Sequence, residues 1–311
     1  MPTVEDLVAR LLDGDRRALS RLLTLIENDS PEGRRALKQL YPRSGRAHTV
    51  GLTGSAGSGK STLSGAIARE MRRRGRTLGI VAIDPTSPFS QGALLGDRIR
   101  MQDLTSDPQV FLRSMATRGN LGGLAPSTAG VVTALDAFGK DVVLVETVGA
   151  GQDEVEVAAM ADTTVVVLTP GAGDDVQAMK AGIMEIADIL VVNKCDLPNA
   201  DLFARQLASI VDASPHERRT PIVKTAGAHN EGIGGLLDAL EEHRTHIEGT
   251  GAREVHRRDQ ARHQLLALAR QRLLDRVVAE HTRDGRLDAL VEQVARRELD
   301  PHSAADALIG A

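Results

Sequence analysis

The sequence predicts an α/β fold, a mostly parallel sheet flanked by helices, with helical extensions at the N- and C-terminal ends. Three observations predict it. From His48 to about Glu248, short β-branched runs alternate with longer stretches of helical spacing, as repeated β–α units do. Residues 54–61, Gly54-Ser55-Ala56-Gly57-Ser58-Gly59-Lys60-Ser61, match G-x-x-x-x-G-K-[ST] at every fixed position, and the match lies between an apolar run and a helix-like segment, the context such a motif needs. Residues 1–44 and 249–311, outside that region, repeat their apolar residues at helical spacing.

In chain order, Thr3 and Asp6 form a capping pair ahead of an apolar stripe of Val4, Leu7, Leu11 and Leu12. Asp13-Gly14-Asp15 breaks it, and Leu19, Leu22, Leu23, Leu25 and Ile26 form a second stripe. These read as short helices packed on a larger body. The predicted strands are Thr49–Thr53, Leu78–Ile83, Val110–Arg113, Val142–Val145, Thr164–Leu168, Ile189–Val192 and Pro221–Lys224. Apolar runs this short suit buried parallel strands, and a ligand then belongs at their carboxyl ends. After Gly249-Thr250-Gly251 the chain becomes charged and helical from Ala252 to Glu280, with Leu265, Leu266, Leu268, Leu273, Leu274, Val277 and Val278 as its apolar residues. Asp284-Gly285 interrupts it, Leu287–Arg297 makes a second helical run, and Pro301 opens a short last one. The expected division is an N-terminal helical extension at 1–44, a nucleotide-binding domain at 45–248 and a C-terminal helical region at 249–311. Two helices in succession bury little by themselves. They dock on the body or pair with a second copy, and the area argument favours a homodimer.

The whole-chain properties exclude several classes. The chain has 311 residues, is 41% hydrophobic and 26% charged, and carries a net charge of −4. It has no global basic field to attract nucleic acid or acidic lipid, and with no Trp, one Tyr and four Phe it has little to stack on bases. Cys195 is the single cysteine, so no intramolecular disulfide or paired-Cys metal site forms, as suits a reducing cytoplasm. Met1–Asp6 is polar and acidic rather than signal-like, and no stretch approaches the ~18 apolar residues of a membrane span. A cytoplasmic protein that binds neither membrane nor nucleic acid is the expectation.

The P-loop implies a nucleoside triphosphate. Gly54, Ala56, Gly57, Ser58, Gly59, Lys60, Ser61 and Thr62 are its candidate contacts. Glycines let successive N–H groups turn toward phosphate oxygens, and a helix N-terminus behind them favours the anion. Lys60 would neutralise the β and γ phosphates and Ser61 would sit on Mg²⁺. Asn193-Lys194-Cys195-Asp196 follows the strand Ile189–Val192 and fits a guanine reader. The Asp196 carboxylate would accept from the N1–H and exocyclic amine of guanine, whereas adenine presents an acceptor there. Asn193 and Lys194 would brace the loop and cover the ring. The turn Thr225-Ala226-Gly227 could bring its backbone to guanine O6.

Mg²⁺ wants oxygen ligands near the phosphates. Asp84 ends one predicted strand, Glu146 ends another where a Walker B acid belongs, and Asp97 is a third candidate; a capping or turn acid is the alternative for each. Val148-Gly149-Ala150-Gly151-Gln152 would face the γ-phosphate as a switch loop. Gln152 would orient the attacking water, or else faces solvent. A second loop, Gly171-Ala172-Gly173-Asp174-Asp175 with Gln177 and Lys180 beyond it, is either another switch or a plain strand–helix connection.

Longer blocks then add a resemblance. They are the P-loop, Asp84–Ser90, Gly92–Met101, Arg113–Leu124, Glu146–Gln152 and Gly171–Asp175. Together they resemble the MeaB/ArgK family of G proteins that escort adenosylcobalamin-dependent methylmalonyl-CoA mutase. The resemblance implies a dimeric GTPase, related to signal-recognition and nickel-insertion GTPases, that gates adenosylcobalamin delivery to the mutase and helps eject damaged cofactor. It implies that Lys60 and Ser61 hold phosphates and Mg²⁺, that Asp84, Asp97 and Glu146 are metal and switch acids, that Asn193, Lys194 and Asp196 read guanine, and that Gly171–Lys180 signals to the mutase. Thr225-Ala226-Gly227 departs from the expected Ser-Ala-like turn, and Cys195 stands where Ala is usual. Competing readings are a nickel metallochaperone, against which stand the scattered nine His and the solitary Cys, an ATP-dependent kinase linked to amino-acid transport, against which stands the guanine reader, and a non-hydrolysing interaction protein.

Overall fold

Helix α1 (Val4–Leu12) starts where its own sequence caps it. The Thr3 hydroxyl accepts from the Asp6 amide and the Asp6 carboxylate accepts from the Thr3 amide. Asp15 caps α2 (Arg16–Glu27) through the amides of Arg17 and Ala18, and Ser30 caps α3 (Pro31–Leu40), with a proline in its first turn. The second stripe is buried as expected at Leu19, Leu22, Leu23 and Ile26. In the first, Val8 is buried and Leu12 is 36% exposed, because Leu12 sits at the helix end beside the turn to α2. The computed structural model describes residues 2–84, 101–116, 126–147, 153–171, 184–213 and 219–310.

The body is a seven-stranded sheet in the order β3-β2-β4-β1-β5-β6-β7, parallel at every pairing. The strands are β1 (His48–Thr53), β2 (Leu78–Asp84), β3 (Val110–Ala116), β4 (Val142–Glu146), β5 (Thr163–Leu168), β6 (Ile189–Val192) and β7 (Ile222–Lys224). Among the described residues, the helices between them are α4 (Lys60–Arg73), α5 (Gln102–Thr105), α6 (Pro126–Ala137), α7 (Asp153–Met160) and α8 (Ala200–Ala213), and α9 (Ile233–Gly249) follows β7. Alternate side chains serve opposite faces. Val142 and Leu144 of β4 join the cluster of α4 and α9, whereas Val143 and Val145 join that of α1–α3, α6 and α7. A third cluster sets β5 and β6 against α8 through Val166, Leu190, Phe203 and Leu207. The N-terminal helices therefore cover one sheet face by way of α6.

The foot of the sheet, away from the carboxyl ends, holds a buried polar chain. His48 Nε2 lies 2.8 Å from Thr163 Oγ1, which lies 2.8 Å from His243 Nδ1. His243 Nε2 is 3.2 Å from the Asp188 carboxylate. A hydroxyl has one proton to donate, so Thr163 donates to one of the two rings and accepts from the other. Beside it, Arg253 donates to both Asp162 oxygens, to Glu248 and to the Ala47 carbonyl, and His256 donates to the Ala161 carbonyl. These contacts fix the first turn of α10 (Ala252–Arg283).

The chain forms two compact units, Met1–His256 and Arg257–Ala311. The second contains the rest of α10, α11 (Arg286–Ala295) and α12 (Pro301–Ile309). It has little interior. Neither α10 nor α11 has a buried residue, and Leu265, Leu266, Leu273, Leu274 and Val291 are more than half exposed. Among the described residues no helix is long and apolar enough to cross a membrane.

Candidate functional site

Parallel register gathers the candidate residues at one edge. Leu52 of β1 and Ala82 of β2 both pair with Glu146, the last residue of β4. Val192 of β6 pairs with Leu168 of β5 and Lys224 of β7. The loops after β1, β4, β6 and β7 therefore open at the same end of the sheet. The phosphate loop follows β1 and runs directly into α4, whose N-terminus supplies unpaired amides and a favourable field for an anion.

Glycine is required here at two places. Gly54 has φ +137°, and a Cβ would meet the Val167 carbonyl at 2.1 Å. Gly59, at φ +88°, caps α4 from the left-handed region, and a Cβ there would meet Asn193 Nδ2 at 2.6 Å. Gly57, also left-handed, has open space above it. Lys60 is buried, and its ammonium donates to the carbonyls of Gly54 and Ser55 at 2.7 and 2.8 Å. Its charge thus hangs inside the loop. Among the described residues the buried Ser58 hydroxyl has no protein partner.

Glu146 is 4% exposed. Its Oε1 accepts from Ser61 at 2.6 Å and its Oε2 from Ser64 at 2.7 Å. Ser61 and Ser64 stand one turn apart on α4, so both reach the same carboxylate. The residues fit Mg²⁺ and a triphosphate: the donors around Ser61 are oxygens, the cation that prefers them is hard, and the orphaned Ser58 hydroxyl and the glycine cradle suit phosphate oxygens. Among the described residues no group of three or more His, Cys, Asp and Glu forms a metal cluster. Asp84 closes β2. Asp97, Gln152 and residues 172–180 lie outside the described residues.

The base-reading loop is tied to the phosphate loop by two side chains. Asn193 is 2% exposed. Its amide donates to the Ser58 carbonyl at 2.7 Å, and its Oδ1 accepts from Thr225 Oγ1 at 3.1 Å and the Gly227 amide at 3.2 Å. Lys194 takes φ +57°, strained for a residue with a side chain, and its ammonium reaches the Gly57 carbonyl at 2.7 Å. Asp196 stays partly exposed, with His229 Nε2 at 4.0 Å. Burial, together with Glu231 and Asp196, holds the Cys195 thiol above its ordinary pKa, so Cys195 is a poor nucleophile.

The turn after β7 is already engaged. Thr225 donates its amide to Val192, Ala226 to Glu231 and Gly227 to Asn193. A contact from these three amides to a base would have to be shared with those partners. Sequence reasoning missed Ser64, since a serine inside an amphipathic helix carries no local signal. His229 was missed too, although it lies only a few residues past the turn.

Comparison with known proteins identifies the family. The model of the family described as methylmalonyl Co-A mutase-associated GTPase MeaB matches residues 19–282. A Pyrococcus abyssi protein with a provisional GTPase name is 45% identical over 311 residues, covering 98% of this chain and 96% of its own. GTPase ArgK of Escherichia coli is 32% identical over 97% of this chain and 94% of its own. The mitochondrial methylmalonic aciduria type A homolog of Caenorhabditis briggsae is 34% identical over 83% of this chain and 68% of its own. A crystal structure described as a LAO/AO transport system kinase shares the fold, with a TM-score of 0.74, 24% identity and coverage of 98% of this chain and 96% of that one. The chain belongs to the family of methylmalonyl Co-A mutase-associated GTPase MeaB, and it is a GTPase.

Proposed function

We propose that this GTPase is a chaperone that gates adenosylcobalamin delivery to an acyl-CoA mutase, with methylmalonyl-CoA mutase as the first candidate, and protects that enzyme, acting as a cytoplasmic homodimer. The observation that carries the reading is the family match over residues 19–282, whose described association is with that mutase. The nucleotide half rests on chemistry already drawn. Lys60 neutralises the β and γ phosphates, the loop amides and the Ser58 hydroxyl hold their oxygens, and Asp196 selects guanine. Ser61 and Glu146, with Asp84 and Asp97, would hold Mg²⁺, whose chemistry there would be to offset charge developing on the phosphates. Gln152 orients the attacking water, and the Gly171–Lys180 stretch carries the signal to the mutase.

The second compact unit supports pairing. Leu265, Leu266, Leu273 and Leu274 are exposed, an apolar surface that water disfavours unless a partner covers it. A second copy presents the same surface, and a two-fold pair buries both at once. The test is co-purification with the mutase in GDP and in a non-hydrolysable GTP analogue, followed by GTP turnover with and without mutase. A nucleotide-dependent complex and faster hydrolysis are expected. Turnover indifferent to mutase, with no complex, would overturn the chaperone reading; ATP used as readily as GTP would favour the transport-kinase reading instead.

A further inference from the structure

We propose that Ser64 is a positioning residue for Glu146, holding one carboxylate oxygen so that the other stays turned toward Ser61. The inference rests on the reading of Ser61 and Glu146 as the Mg²⁺ side of the nucleotide site. Ser64 lies on the buried side of α4 next to Leu63, Ala66, Ile67 and Ala68, with none of its surface exposed. Alanine would fill that place with better helix propensity. A hydroxyl buried there costs free energy unless it is bonded, and the usual outlet inside a helix is the carbonyl one turn back. Ser64 instead donates to Glu146 Oε2 at 2.7 Å, across 82 positions of sequence.

The terminal torsion of a glutamate is broad and poorly defined by its own rotamers. One hydrogen bond leaves the carboxylate plane free to swing; two, from donors one helical turn apart, fix it. Of the two donors, Ser61 is the one that the P-loop motif also assigns to the metal. Its bond to Glu146 Oε1 at 2.6 Å is therefore open to competition. Ser64, fully buried behind it, has no such second duty and keeps the carboxylate in place.

The experiment measures binding of a fluorescent, non-hydrolysable GTP analogue to the full chain while Mg²⁺ is titrated, in wild type, Ser64→Ala, Ser64→Thr, Glu146→Gln and the double variant. Ser64→Ala is expected to raise the half-saturating Mg²⁺ concentration by about three- to tenfold, the size of one ordinary net hydrogen bond. Affinity in EDTA should stay within about twofold of wild type, since that bond does not face the phosphates. Ser64→Thr should restore the requirement. In the Glu146→Gln background Ser64→Ala should add nothing, because coupling through the carboxylate makes the two changes non-additive. If Ser64→Ala does not fold, Ser64→Cys, with a weak donor of similar size, replaces it. An unchanged Mg²⁺ requirement in a folded variant, or an equal shift in the Glu146→Gln background, overturns the proposal. A wild-type affinity that ignores Mg²⁺ altogether overturns the metal reading, and the proposal with it.

Discussion

Asn193 Nδ2 donates to the Ser58 carbonyl at 2.7 Å, so the residue that opens the guanine-reading loop also holds the phosphate loop. Base and phosphate recognition share one buried side chain. Asn193→Ala should therefore weaken the whole nucleotide rather than alter base preference. It leaves Ser58 O, Thr225 Oγ1 and the Gly227 amide without this partner, which should destabilise the fold by about 2–4 kcal/mol. Urea unfolding and parallel GTP and ITP binding check both parts; a selective loss of guanine preference at full stability would contradict it.

Asp196→Asn should lower GTP affinity by about a hundredfold and admit XTP, whose extra carbonyl suits an amide donor. Competition among GTP, ATP and XTP measures it. Retained GTP selectivity would move the base reader to another residue.

Lys60→Ala should reduce hydrolysis by about a hundredfold or more, through lost charge at the β and γ phosphates. The variant also frees the Gly54 and Ser55 carbonyls from this donor, so nucleotide binding and thermal melting belong in the same experiment. Wild-type turnover would remove the phosphate role from Lys60.

Acid should destabilise the foot of the sheet. Burial pushes the His48 imidazole down from 6.5 to about 4, with Asp162 opposing and Arg244, Arg253 and His243 adding to the shift. The unfolded chain takes up the proton first, so stability falls as pH drops through that window, by up to about 3 kcal/mol. Urea midpoints at about pH 7 and about pH 5 should converge in His48→Gln relative to wild type. Equal acid sensitivity of the two would assign the slope elsewhere.

Truncation after His256 should give a folded monomer that binds GTP. Cutting after Glu248 instead removes Arg253 and leaves Asp162 without its guanidinium, a buried charge whose lost partner costs about 3 kcal/mol or more. Light scattering and melting of both truncations separate these effects. A truncated protein that still dimerised would place the pairing surface in the first unit.

The strands were legible because buried parallel strands are continuous apolar runs; each was found, and the ends differed by up to three residues, as in β3, which runs on through Ser114, Met115 and Ala116. His48 sits buried at the start of β1 with its ring bonded to Thr163, distant in sequence and itself bonded to His243. Glu146 ends β4 as a buried acid for the same kind of reason, its two serine donors lying on α4. The positions of Lys60 at the start of α4 and of Asn193 and Asp196 just after β6 could be read from motif spacing. Ser64 could not, since its partner is 82 positions away.

The Arg253 clamp grips the starting ends of β1 and β5 through Ala47 and Asp162, while the phosphate loop leaves the far end of β1. Six residues of β1 separate the two, about 20 Å of stiff rod. A tilt of β1 at the phosphate loop would therefore move the clamp as well, since the strand joins the two ends directly. Substitutions that loosen the clamp should thus uncouple the two ends while leaving each able to do its own work.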